Sequence, residues 1–149
     1  RIGLDEIESL IGQQRYFVLH APRQTGKTTC LLALRDHLNA QGRYAALYLN
    51  VETGQAARND VARAMQPILD DLAQQSARLL GCEAVEEQRG DLLARGPDSA
   101  LRAALRLLAE QVTKPVVLFL DEVDALVGDT LISVLRQIRA GYTDRPSHF

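Results

Sequence analysis

Ala21-Pro22-Arg23-Gln24-Thr25-Gly26-Lys27-Thr28 is the stretch on which the reading of the fold turns. It has the form A-x-x-x-x-G-K-T, a phosphate-binding loop with Ala21 where a first glycine usually stands. The apolar run Tyr16-Phe17-Val18-Leu19 precedes it, and a helical pattern carrying Leu31, Leu34 and Leu38 follows. Strand, loop and helix in that order are the context such a loop requires. Successive backbone N–H groups can wrap the α- and β-phosphates, and the positive end of the following helix adds to the field. Gly26 lacks a Cβ, so backbone can come close to phosphate. Lys27 is expected to reach the β- and γ-phosphates, and the Thr28 hydroxyl to ligate Mg²⁺. The candidate nucleotide-binding residues are therefore Ala21, Pro22, Arg23, Gln24, Thr25, Gly26, Lys27, Thr28 and Thr29.

A second stretch matches the first. Val116-Val117-Leu118-Phe119-Leu120 is an apolar run that ends in Asp121-Glu122. It reads as a strand buried on both faces with an acidic pair at its end, a Walker B pattern. In open α/β sheets ligands sit at the carboxyl ends of the strands. Asp121 emerges there and is expected to hold Mg²⁺ through water, because Mg²⁺ keeps much of its hydration. Glu122 is the candidate catalytic base, which would orient or deprotonate the water that attacks the γ-phosphate. The ligands implied by the two motifs are a nucleotide and Mg²⁺.

Between and around these motifs the periodicity alternates. Residues 4–14 carry Leu4, Ile7, Leu10 and Ile11 at helical spacing. Residues 16–20 form the first strand, and the helix after the loop runs to about Ala40, stopped by Gln41-Gly42. Tyr44 to Val51 is the second strand. A long helical stretch then runs from about Gln55 to Leu80, with Val61, Met65, Ile68, Leu72 and Leu79 in one stripe. Pro67 inside it predicts a kink or a break. Residues 82–98 read as a polar surface connection with at most a short helix near Leu92 and Leu93. Asp98 or Ser99 is expected to cap the next helix, with Leu101, Leu105, Leu108 and Val112 inward. The last helix is capped by Asp129-Thr130, turns Leu131, Val134, Leu135 and Ile138 inward, and ends at Gly141.

The pair APRQTGKTT and VVLFLDEVDAL resembles the AAA-like P-loop ATPases of the additional-strand, catalytic-glutamate class. The nearest likeness is to prokaryotic AAA-like proteins related to origin-recognition and STAND ATPases. Gly26, Lys27 and Thr28 match the Walker A residues, and Asp121 and Glu122 the Walker B residues. The resemblance implies a three-layer α/β/α P-loop fold with a mainly parallel sheet. It also implies a strand inserted beside the loop strand, so that the Walker B strand is not its neighbour. ATP–Mg²⁺ as ligand and a conformational output are implied as well. The family carries a polar sensor residue on the strand after Walker B, where this sequence reaches Ser147-His148-Phe149. The expected organisation is thus one AAA-like domain over residues 1–149, truncated at its C-terminal end. It comprises an N-terminal helix over 1–15, a P-loop core over 16–141 and a tail over 142–149 that leads to a missing strand.

Bulk properties agree with one domain. The chain has 149 residues, 46% of them apolar and 24% charged, with a net charge of −2, ordinary values for a globular domain. The charges are interspersed, so nothing in their pattern argues for nucleic acid, which is left to other parts of the chain. No apolar run is long enough to span a bilayer as a helix. Cys30 and Cys82 show no C-x-x-C pairing and no nearby His ladder; two are too few for a disulfide scaffold or a zinc site and read as reduced thiols of a cytoplasmic protein. The start at Arg1 reads as a fragment or a processed chain.

Other polar residues are read first as solvated or packed. Arg23, Arg136, Arg139 and Arg145 are candidates for a phosphate contact or an arginine finger, Glu52 for steering water, and His20 for a buried hydrogen-bonded histidine. The favoured function is an ATP-driven conformational switch, an ATPase. The alternative is a nucleotide-gated scaffold with negligible turnover, and a small-molecule kinase is disfavoured because no acceptor motif accompanies Asp121-Glu122. A second copy of the chain, a regulated partner or a fused effector domain would receive the output.

Overall fold

The computed structural model describes residues 16–20, 26–52, 59–122, 125–126 and 128–143. The helix expected over 4–14, the loop residues Ala21 to Thr25 and the tail beyond Thr143 lie outside them. Three strands are described: β1 (Tyr16–His20), β2 (Ala45–Asn50) and β3 (Val116–Asp121). Five helices accompany them: α1 (Lys27–Gln41), α2 (Val61–Leu80), α3 (Ala84–Ala94), α4 (Pro97–Gln111) and α5 (Gly128–Thr143). All strand pairs are parallel, because each return to the sheet passes through helix.

β3 is the central strand, in the order β1-β3-β2. All six of its residues are buried, which is why its sequence is a continuous apolar run rather than an alternation. Its side chains divide between two cores. Leu118 and Leu120 join Leu47 and Leu49 of β2 in the larger cluster, with Met65, Ile68 and Leu72 of α2 and Leu101, Leu105 and Leu108 of α4. Val117 and Phe119 join Ala46, Leu31 and Leu38 in the smaller one, against α1. The period of two along a strand produces this division.

The strand order corrects one expectation. The resemblance implies a strand between the loop strand and the Walker B strand, yet β1 and β3 pair directly from Tyr16↔Val116 to His20↔Leu120. Their backbone groups satisfy one another, and the described segment that follows β3 is helix α5 rather than a returning strand.

The outer edge of β2 is closed by side chains. The Asn39 amide of α1 donates to the Ala46 carbonyl at 3.0 Å and accepts from the Ala46 N–H at 2.7 Å. The Gln75 amide of α2 does the same for the carbonyl and N–H of Tyr48. Alternate residues of a strand present their backbone groups to the same edge, so these two amides occupy successive free sites of that edge.

Several boundaries differ from the sequence reading. α2 begins at Val61 rather than near Gln55, where the Asp60 side chain accepts the Arg63 N–H. It runs unbroken through Pro67. The carbonyl that Pro67 frees belongs to Arg63, an exposed residue whose backbone water can serve. Residues 84–94 form a full helix, α3, although only Val85 and Leu92 on it are buried. α4 starts after Gly96 with Pro97 in its first turn, so neither Asp98 nor Ser99 is the cap. α5 extends past Gly141 to Thr143. Leu135, expected inward, is 45% exposed beside Ile132 at 48%. The inward face carries Thr130, Ser133 and Gln137 along with Val134 and Ile138. Gln137 accepts the N–H groups of Leu101 and Arg102 and donates to the Pro97 carbonyl, which fastens α5 to the first turns of α4.

Candidate nucleotide site

The start of α1 and the end of β3 meet at Asp121. Gly26 takes the left-handed conformation, φ 80°, that glycine adopts without steric cost, and α1 begins at the next residue. The first turn of α1 contains no acidic side chain of its own. Lys27 is 5% exposed. Its Nζ lies 2.8 Å from Asp121 Oδ1 and 3.4 Å from Glu122 Oε1. The hydrogen bond to Asp121 raises the Lys27 pKa, burial works against it, and the two carboxylate charges add to the rise.

Asp121 is fully buried and engages both oxygens. Oδ1 faces Lys27 and accepts the Glu122 N–H at 3.0 Å. Oδ2 accepts the Thr28 hydroxyl and the Tyr48 hydroxyl, each at 2.6 Å. Burial alone would push this carboxyl up. The hydrogen bonds from Lys27, Thr28 and Tyr48 and the Lys27 charge outweigh it and hold Asp121 below the usual carboxylate range.

Glu122 follows the strand in a left-handed backbone conformation, φ 61°. A non-glycine residue there is strained, and such residues gather at functional sites. The strain turns the chain out of β3, so that the Glu122 carboxylate comes back towards Lys27.

Of the residues expected to bind nucleotide, Lys27 and Thr28 are brought to the acidic pair, with Gly26 next to them at the start of the helix. Thr29 is exposed on α1 and is not among the partners of Asp121. Ala21, Pro22, Arg23, Gln24 and Thr25 lie outside the described residues, as do Arg145 and the side chains of His20 and Arg139. Glu52 is exposed, its N–H bonds to the Asn50 side chain, and it is not among the partners of Asp121. Arg136 is exposed on α5.

Tyr48 is the participant that sequence reasoning missed. It read only as a strand residue, yet its hydroxyl is bound to Asp121, and its pKa is pushed up to about 12, first by burial and then by the carboxylate beside it. The signal in the sequence is a hydroxyl within the largely apolar run of β2. It acquires meaning only once β2 is known to lie beside β3, with Tyr48 opposite Phe119 and Asn50 opposite Asp121.

The donor set fits Mg²⁺ with a nucleotide. One carboxylate and one hydroxyl, both hard oxygen donors, sit beside a lysine and a helix N-terminus. Mg²⁺ ordinarily takes one or two carboxylates and completes its shell with phosphate and water. Among the described residues no group of three or more His, Cys, Asp or Glu side chains is placed to hold a metal, so there is no all-protein cage in that part of the chain. No described helix is long and apolar enough to cross a membrane.

A family model described as an AAA ATPase domain matches residues 4–140, and the chain belongs to that family. No curated protein and no solved structure matches it.

Proposed function

We propose that this member of the AAA ATPase domain family binds ATP with Mg²⁺ at the meeting of α1 and β3, and hydrolyses it to drive a conformational change. The carrying observation is the convergence of Lys27, Thr28, Asp121 and Glu122, drawn from two segments far apart in the chain. In this reading residues 21–29 cradle the phosphates and Lys27 turns from the acidic pair to the β- and γ-phosphates. Thr28 and Asp121 would hold the Mg²⁺, which neutralises charge on the phosphates. Glu122 then orients the attacking water and takes its proton. We read the helices packed on the sheet as the three-layer P-loop arrangement, and residues 1–149 as a single AAA-like domain in the cytoplasm. A second copy, a partner or an effector domain would receive the output.

The rival reading, a nucleotide-gated scaffold with negligible turnover, draws on Glu122. Its carboxylate is paired with Lys27, and its backbone is held in a costly conformation. Phosphate release from ATP–Mg²⁺ separates the two. A wild-type rate well above that of Glu122→Gln supports hydrolysis. Equal rates, with ATP still bound, establish the scaffold.

A further inference from the structure

We propose that Tyr48 is a positioning residue for Asp121: from the neighbouring strand, its hydroxyl fixes Oδ2 and so sets the plane in which the carboxylate meets Mg²⁺. The inference rests on the nucleotide reading above and goes beyond the two motifs on which that reading stands.

Among the described residues Asp121 has four donors. Lys27 and the Glu122 N–H serve Oδ1, and Thr28 and Tyr48 serve Oδ2. Two of them have other work when nucleotide arrives, since Lys27 is needed at phosphate and Thr28 at the metal. The Glu122 N–H and the Tyr48 hydroxyl then remain, one on each oxygen. Two donors on two oxygens define the orientation of a carboxylate. The first belongs to the adjacent residue and moves with the turn after β3. The second comes from another strand and is a reference independent of that turn.

Tyr48 is built to stay in place. Its backbone N–H and carbonyl are both gripped by the buried Gln75 amide of α2. β2 is in register with β3 from Ala45↔Val116 to Asn50↔Asp121. The tyrosine packs against the cluster that contains Phe119 and Leu31. A phenolic hydroxyl is the donor in its bond to Asp121 Oδ2, because an ionised carboxylate can only accept. Outer partners of this kind orient a metal-binding carboxylate without touching the metal.

The test is Tyr48→Phe, which keeps the ring and removes the oxygen. The affinity of a non-hydrolysable ATP analogue is measured by calorimetry with EDTA and with Mg²⁺. The affinity gained on adding Mg²⁺ should fall by about 10-fold or more, the worth of an outer partner that orients a metal-binding group. The affinity in EDTA should change by less than about 2-fold, since no phosphate contact is removed. A variant that gains as much from Mg²⁺ as wild type overturns the assignment, and so does one that loses affinity equally in both conditions, which marks a merely structural hydroxyl. Wild-type protein that binds in neither condition overturns the nucleotide reading and this assignment with it. A second arm leaves the oxygen in place. The chain is labelled with 3-fluorotyrosine at its four tyrosines, and the Tyr48 fluorine signal is identified by replacing Tyr16, Tyr44 and Tyr142 with Phe in turn. That signal should shift when Mg²⁺ is added to the analogue complex, and an unmoved signal overturns the proposal.

Discussion

Lys27 Nζ stands 2.8 Å from Asp121 Oδ1, and this ion pair joins the first turn of α1 to the last residue of β3. The lysine that is expected to reach phosphate is therefore also part of the fold. Removing it leaves a fully buried carboxylate short of the cation that Oδ1 has among the described residues.

Lys27→Ala is expected to act twice. ATP affinity should fall by about 100-fold, the worth of a charge-assisted bond to phosphate. Stability should fall as well, by about 2–4 kcal/mol in urea unfolding, because a buried pair has lost one member. Lys27→Met combined with Asp121→Asn should regain at least half of that stability and none of the affinity. If the double variant is as unstable as the single one, the loss lies elsewhere than in the stranded carboxylate.

The acid side of the stability profile follows from Asp121. Its folded-state pKa is depressed, so it contributes stability that is present above the ordinary carboxylate value and is lost as pH falls through the folded value. Asp71 has the opposite sign. Burial raises it, with Arg78 opposing in part. Its penalty is absent at low pH and grows as pH rises through the carboxylate range. Asp71→Asn should therefore raise the melting temperature at pH 7 by about 1–3 °C, a modest gain because the group is half open to solvent. The gain should shrink towards zero below about pH 4. A gain that persists there would contradict this cause. On the alkaline side Lys27 adds stability that is lost only as pH rises through its raised pKa.

Glu122 offers a separation of backbone from chemistry. Glu122→Gln should retain ATP affinity and slow hydrolysis by about 100-fold or more. Glu122→Gly should abolish hydrolysis equally while relieving the left-handed conformation. Its stability should be unchanged or higher by up to about 1 kcal/mol, since relief of strain exceeds the entropy cost of glycine. Calorimetric melts of the two variants decide it. A clear loss of stability in the glycine variant would mean that the pairing of Glu122 with Lys27 outweighs the strain.

The two amides on the edge of β2 should be energetically alike and functionally unlike. Asn39→Leu and Gln75→Leu each leave an N–H and a carbonyl without partners, and each should cost about 2–3 kcal/mol in urea unfolding. Asn39 holds Ala46, which has no part in the Asp121 cluster, so nucleotide affinity should survive its loss. Gln75 holds Tyr48, so its loss should weaken the Mg²⁺-dependent part of the affinity. Equal effects on affinity would break the link from Gln75 to Asp121.

The readable parts of the sequence are those in which one residue type serves one purpose. β3 is apolar because it is covered on both sides, and the acidic pair stands out at its end. α1 announces itself through the loop before it and Gly42 after it. α3 was unreadable because Val85 and Leu92 are its only buried anchors among charged residues, and neighbouring helices rather than its own pattern make it a helix. On α5 the inward face includes Thr130, Ser133 and Gln137, and Gln137 is spent on the backbone of α4, so an apolar stripe misplaces Leu135. The order of strands was misjudged, and Tyr48 overlooked, for one shared reason: neighbours in a parallel sheet are set by contacts between segments remote in the chain.

The four donors on Asp121 also bear on the order in which the chain folds. They come from the start of α1, the middle of β2 and the residue after β3. Closing contacts of such long sequence separation is slow, because loop entropy must be overcome before the contact gives anything back. The carboxylate thus has all of these donors only when α1 and β2 have docked at the end of β3. A nucleotide seated at this point would bind finished molecules and pass over half-formed ones, and at 100 times its Kd it would favour the native state by about 2.7 kcal/mol. Occupancy of the site is then a check on completed folding as well as the start of a reaction.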